Sequence, residues 1–334
     1  MTRRRSLTVG LVLCPWLVRP VLAAIPGRHS IAGVVLSRQS PGFHGAKSLV
    51  ENTFRQTCLT VTPGDLSAVL VQWLKATEPE VVFVTTFPHR IPPAALAIPP
   101  RGFLNFHPGQ LPAFRGPDPL FWQIRLGAGY GGVVVHQMTP ELDAGPMVGR
   151  YLIPLGGDEN YGHHAERLPA VFQRAVIATL KQLQRDELAF EPQEESRARY
   201  FKAVRHRDLI IHWDDDPRTI AALVRAASPN YGGALLYWRD QSYGLLRCRL
   251  EPSSPGGGGA AGTVLDGGGA LWVQGRQDTR LVLEQLVLDG RRVTGGEFKA
   301  ALQLHPGERL PTSVDGPSPP SPWRDTGSTT SALF

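Results

Sequence analysis

The chain has 334 residues, 42% of them hydrophobic and only 19% charged, which provides for a full core and two domains and excludes wholesale disorder. No apolar run reaches the roughly 18 residues a membrane span needs, so no membrane partner is expected. Cys14, Cys58 and Cys248 show no CxxC spacing, which excludes a zinc ribbon and a disulfide scaffold and points to a reducing, cytoplasmic setting. The formal net charge of +6 suits an anionic partner such as a nucleic acid, a nucleotide or a polyanionic cofactor, without choosing among them.

Arg3-Arg4-Arg5, the apolar stretch behind it and Ala23-Ala24 have the outline of a secretory signal, but Pro15, Arg19 and Pro20 interrupt the apolar core. The same residues divide into a strand (6–13), a short helix (16–24) and a second strand (31–36), and this βαβ reading is preferred. A helix over 46–54 and a strand over 59–62 follow. Asp65 is read as the N-cap of a helix over 66–76, which carries Leu66, Val69, Leu70, Trp73 and Leu74 at helical spacing. Residues 80–85 are an apolar run of β-formers, as a buried parallel strand requires. This alternation predicts a parallel sheet with right-handed crossovers, whose ligands bind outside the carboxyl ends of the strands. The segment after Thr85 is therefore a candidate site. Strand 103–107 then ends in polar residues and runs into a Pro/Gly-rich loop, 108–119. A short helix (120–126), a β-branched strand (132–138) and a long amphipathic helix (165–188) complete the first domain, 1–188.

Composition changes near residue 189, and 189–199 reads as an exposed polar linker. The second domain, 200–310, opens with a helix over 217–227, and Asp214–Asp216 ahead of it suit the positive end of its dipole. Short strands at 235–238, 243–250, 262–265, 271–274 and 281–288, with glycine-rich turns at 255–259 and 267–269, suggest a small β-barrel. The Pro/Ser/Thr-rich stretch 311–334 reads as a disordered tail.

Chemistry concentrates at Asn105, His107 and Asp143. Asn105 and His107 are two apart on a strand and share one face. Asp143 follows the next strand, in a loop whose Gly145-Pro146 pair fixes a turn. An amide, an imidazole and a carboxylate make a workable acyl-transfer site: the amide and a protonated imidazole can donate to the oxygen on which charge develops, and the carboxylate can support the imidazole or take a proton. Taken singly, each residue also has an ordinary reading, as a structural histidine, a turn aspartate and a loop-capping asparagine. There is no Gly-x-Ser-x-Gly, and His136, His163-His164 and Asp214–Asp216 lack metal-ligand spacing, so no metal is expected.

The stretch from Asn105 to Gly116, Asn-Phe-His-Pro-Gly-Gln-Leu-Pro-Ala-Phe-Arg-Gly, resembles the folate-dependent formyltransferase signature of Asn-x-His, then Leu-Pro, then Arg-Gly. Leu142-Asp143-Ala144-Gly145 is similar to that family's Asp-x-Gly loop. Ala198-Arg199-Tyr200-Phe201, Ile211-His212-Trp213 and Leu223-Val224-Arg225-Ala226 are similar to the opening of its small C-terminal domain. The resemblance implies an α/β, Rossmann-like formyltransferase domain with a parallel sheet, followed by a small OB-like β-barrel. It implies 10-formyltetrahydrofolate as co-substrate and Asn105, His107 and Asp143 as catalytic residues. It places His89, Arg90 and Ile91 against the pterin, with Gly109, Gln110, Leu111, Pro112, Thr139, Pro140, Glu141 and Leu142 lining the folate pocket. The family's usual Ser-Leu-Leu-Pro is here Gly109-Gln110-Leu111-Pro112, so any role of that hydroxyl is absent. The expected acceptor is a small or nucleotide-linked primary amine, because the long basic insertion of tRNA-using members is missing and the linker is acidic at Glu191, Glu194 and Glu195. Initiator methionyl-tRNA is the alternative; hydrolysis of the formyl donor and a non-catalytic binding role are further ones.

Overall fold

The computed structural model describes residues 5–252, 259–276 and 278–312. Arg3-Arg4, most of the expected turn at 255–259 and the expected tail from residue 313 onward lie outside the described residues. The first half of the chain forms β1 (Thr8–Leu13), α1 (Val18–Ala24), β2 (Ser30–Ser37), α2 (Phe43–Ser48), β3 (Cys58–Val61), α3 (Leu66–Thr77) and β4 (Val81–Thr85). It continues with α4 (Pro93–Leu96), β5 (Phe103–His107), α5 (Pro119–Arg125), β6 (Tyr130–Gln137), β7 (Met147–Pro154) and α6 (Tyr161–Arg185). The remainder forms α7 (Pro217–Ala227), β8 (Ala234–Trp238), β9 (Gln241–Pro252), β10 (Val264–Leu265), β11 (Leu271–Gln274), β12 (Thr279–Leu288), β13 (Arg291–Thr294) and α8 (Gly295–Ala301).

The seven-stranded sheet has the order β3-β2-β1-β4-β5-β6-β7. β1 to β5 pair in parallel, as the alternation of strands and helices predicts, but β6 and β7 run antiparallel. β6 enters beside β5 from the opposite end and pairs His107 with Val134 and Asn105 with His136. Leu104, Phe106, Val133 and Val135 face the core that packs α1, α5 and α6 on the sheet. Asn105, His107 and His136 occupy the opposite face.

Local differences have local causes. Asp65 does stand at the N-cap position of α3, but its carboxylate accepts from the Thr62 N–H (2.6 Å) instead of capping the helix. α6 starts at Tyr161, four residues before the expected 165, because Asn160 caps it through the His163 N–H (2.9 Å). The helix expected over 46–54 begins at Phe43 and passes into a π-helical turn over Leu49–Thr53. β7 escapes the sequence reading because Gly149 and the exposed Arg150 interrupt its apolar pattern. Asp216 caps α7 by accepting from the Arg218 N–H (2.7 Å).

In the second half, β10-β11-β12-β9-β8 form an antiparallel sheet with β13 paired to β12. Among the described residues no pairing joins β8 to β10, so the expected barrel is an open half-barrel. Its two edges are covered instead by Ile211, whose N–H donates to Leu235 O (2.9 Å), and by Glu308 and Leu310 beside β10. Among the described residues no helix is long and apolar enough to cross a membrane.

Asp118, the N-cap of α5, is buried, and burial pushes its carboxyl up to about 7 against a single weak bond from the Phe121 N–H. A folded-state value above the unfolded 3.8 means that stability is lost as pH rises from about 4 to 7 and then levels off. Asp118→Asn keeps an oxygen that can cap the helix and removes the buried charge. It is expected to raise the melting temperature above pH 7, within a ceiling of about 4 kcal/mol, with no gain near pH 4. Melting curves across that range check this.

Candidate functional site

The groups singled out on β5 and after β6 come together. Asp143 Oδ1 lies 3.4 Å from Asn105 Nδ2 and 3.7 Å from His107 Nδ1, and Asp143 Oδ2 accepts from the Gly116 N–H at 2.9 Å. His107 and Asp143 are 3% and 6% exposed, so this is a dry cluster in which Asn105 is the most open member. Asp143 reaches it from a left-handed backbone conformation (φ 52°), which an aspartate tolerates better than most residues.

His136 is the member that the sequence reading passes over. It pairs directly across from Asn105, donates from Nδ1 to Gln137 O (3.0 Å) and so presents an unprotonated Nε2 to the Asn105 amide (3.1 Å). The same Nε2 lies 3.4 Å from Asp143 Oδ1. Parity along β6, with Val133 and Val135 in the core, marks residue 136 as facing away; only the antiparallel turn puts that face beside Asn105.

Two electrostatic consequences follow. Burial drives the Asp143 carboxyl up, but the neighbouring imidazole of His107 and the donated Gly116 N–H oppose it and hold it well below the usual carboxylate range. For His107, burial dominates and lowers its value below 6.5, opposed by Asp143. His107 Nε2 donates to Phe114 O (2.7 Å) while Nδ1 faces the carboxylate, so both ring nitrogens are engaged. The Asn105 amide hydrogens are likewise directed at His136 and Asp143. Donation from Asn105 to a reacting oxygen therefore requires release of its longer bond, the one to Asp143.

The segments expected around a folate divide into two groups. Ile91 is buried in the cluster that holds Val84 and Phe103, with Phe87 and Met138 packed against it. Loops 86–91 and 138–142 thus share one side of the sheet, the side on which Asn105 and His107 lie. His89 bonds Ser37 at the end of β2 (2.8 Å), Arg90 is exposed, and Thr139 closes the 139–142 turn by donating to Glu141 O (3.1 Å), with Pro140 and Glu141 exposed and Leu142 half-buried. Gly109–Pro112 lies on the far side of His107: Leu111 packs with Val134 and Met147, and Gln110 bonds Tyr130 O. A Cβ at Gly109 would fall 2.6 Å from Pro119 Cβ and 3.0 Å from His107 Nε2, so a serine here requires a shift of Pro119 and crowds the imidazole.

Comparison with known proteins places the chain in a family. Residues 42–180 match the formyl transferase family, and 203–302 match the formyl transferase C-terminal domain. The methionyl-tRNA formyltransferase of Roseiflexus castenholzii is 29% identical over 305 residues, 87% of this chain and 96% of that protein. That of Aromatoleum aromaticum is 33% identical over 240 residues, 71% of this chain and 74% of that protein. Among solved structures, the N-formyltransferase from Helicobacter canadensis in complex with folinic acid and dTDP-3-aminofucose superposes with a TM-score of 0.60 at 12% identity, over 82% of this chain and 98% of that chain. The chain belongs to the formyl transferase family.

Proposed function

We propose that this protein transfers a formyl group from 10-formyltetrahydrofolate to a primary amine carried on a nucleotide. The observation that carries the reading is the dry cluster of Asn105, His107, His136 and Asp143 on one face of β5 and β6, in a chain of this family. The folate fits the side of the sheet where loops 86–91 and 138–142 meet, with Ile91, Phe87 and Met138 as its apolar wall. When bound there it supplies the activated formyl carbon. The amine nitrogen forms the new bond to that carbon as the carbon's bond to the folate N10 breaks, N10 taking up a proton as it leaves, and Asn105, the most open group, polarises the formyl oxygen once it lets go of Asp143. The His107–Asp143 pair, ionised only at the carboxylate, takes the proton released by the attacking amine.

The nucleotide half of the reading rests on the strip beside the cluster. The acids that made the linker look repulsive to nucleic acid are taken up: Glu191 pairs with Arg150, Glu194 with Arg197 and Glu195 with Arg115. Arg199, Lys202, Arg205 and Arg207 are exposed and form no ion pair among the described residues. Phe201 lies between them, stacked on Phe114 (5.6 Å) and on Trp122 (5.1 Å). Unpaired cations along one strip suit the phosphates of a nucleotide. An amino-sugar nucleotide is the first candidate. Methionyl-tRNA is the second reading, favoured by the match along 96% of the Roseiflexus castenholzii enzyme.

Formylation assays with both acceptors decide between them. Turnover of a sugar nucleotide amine, inhibited by the free nucleotide and only weakly dependent on salt, is the expected result. Formylation of methionyl-tRNA with a steep loss of binding between low and moderate salt would replace it with the second reading. Formate release without any amine would overturn both.

A further inference from the structure

Segment 189–199, expected as a solvated linker, closes on the site. It bridges β7, with the N–H of Met147 donating to Glu191 O (2.7 Å) and the reverse bond at 2.8 Å, and then reaches the turn that carries Asp143. There Gln193 Nε2 donates to Asp143 O (2.8 Å) and to Gly145 O (2.7 Å), while its Oε1 accepts from Arg115 Nε (3.1 Å) and Nη2 (3.0 Å). Its donors and acceptor are fully used. The Arg115 guanidinium is wholly buried and equally committed, to Gln193, to both carboxylate oxygens of Glu195 (2.9 Å each) and to Tyr200 Oη (2.8 Å). The next residue, Gly116, donates to the Asp143 carboxylate.

These bonds make a closed circuit. Gln193 holds the backbone of Asp143 and the side chain of Arg115, and the residue after Arg115 holds the carboxylate of Asp143. Asp143 sits in a conformation that costs free energy for any residue but glycine, so its direction depends on what ties it down. We infer that Gln193 is a positioning residue: from outside the cluster it locks the Asp143 turn onto the Arg115–Gly116 loop and thereby aims the carboxylate at Asn105, His107 and His136. The inference rests on the formyl-transfer reading only for its kinetic consequence.

Gln193→Glu tests it. The carboxylate has the shape of the amide and can still bond Arg115, but it turns two donated bonds toward Asp143 O and Gly145 O into repulsions. Gln193→Met is the companion, losing both sets of bonds at nearly constant volume. The imidazole of His107 is followed by NMR titration of 13C-labelled histidine, with its signal assigned by its loss in His107→Asn. Both variants are expected to shift the His107 midpoint downward, because the carboxylate that supports its charged form swings away. With an amine that wild type formylates, kcat falls about 10- to 100-fold while the KM for that amine stays within about twofold. A glutamine that merely glues segments together predicts a lower melting temperature with the titration and kcat unmoved in the folded fraction, and that result overturns the inference. If wild type formylates neither acceptor, the proposed function fails, and the titration still decides the role of Gln193. If Gln193→Glu does not fold, Gln193→Met supplies the same readings.

Discussion

Asp143→Asn is expected to leave a folded protein that has lost formyl transfer, with kcat down by about a hundredfold or more. The substitution preserves volume and an oxygen for the Gly116 N–H, so the turn can keep its place. What it removes is the charge. If the new amide keeps its oxygen toward Gly116, its nitrogen faces Asn105 Nδ2, donor against donor, in place of the present 3.4 Å bond. His107 loses the carboxylate that opposes its desolvation, so its midpoint, already below 6.5, moves further down. The pH dependence has a definite sign. A pair that must accept a proton works once His107 is neutral, so kcat/KM in wild type rises with pH through a midpoint below 6.5 and is flat from there until the acceptor amine itself titrates. Rates between pH 5 and 8, with circular dichroism to establish the fold, check both halves. A folded Asp143→Asn enzyme with near-normal turnover would reject the roles of the carboxylate and of His107 in proton removal.

How much of the fold and site is legible in the sequence depends on where each residue's partners lie along the chain. β1, β4 and β5 are apolar runs whose burial is written into their own composition, and α6 declares itself by its apolar stripe. Asn105 and His107 are legible because two residues on one strand share a face whatever that strand pairs with. Asp143 is legible as a polar residue in the loop after the next strand, where Gly145-Pro146 fixes a turn, and the resemblance of that loop strengthens the reading. His136 stays hidden, since its role depends on β6 running antiparallel to β5, which runs against the alternating pattern. The polar stretch 189–199 misleads for a related reason. Glu195 and Gln193 look solvated until the buried Arg115, about 80 positions earlier, is seen to use them. A charged residue is read as a surface residue unless its partner is known, and here the partner is distant in the chain. β13 escapes because Arg291 and Arg292 hide a four-residue strand, and α8 because it opens on Gly295-Gly296, which read as a turn.

The two halves of the chain meet closely at Gly116, and Gly116→Ala is expected to have a large structural effect. An added Cβ would lie 2.1 Å from Phe201 O, at φ 117°, where a side chain is strained in any case. The carbonyl cannot step aside freely. Its residue donates its own N–H to Arg115 O (2.9 Å), and its ring is stacked between Phe114 and Trp122. Relief has to come from lifting the strap 199–201 off the loop or from rotating Gly116, and rotation withdraws its N–H from the Asp143 carboxylate. Either way stability falls, by about 2–3 kcal/mol or more, and turnover falls at least tenfold with it. Gly127→Ala is the control, because that glycine also has positive φ (67°) but nothing within 4 Å of its added Cβ. It should cost only the conformational penalty of about 1 kcal/mol and leave turnover unchanged. Urea unfolding and initial rates on both variants separate steric conflict from backbone strain. Equal losses in the two would mean that the strap does not press on Gly116, and the route from linker to carboxylate would lose its first link.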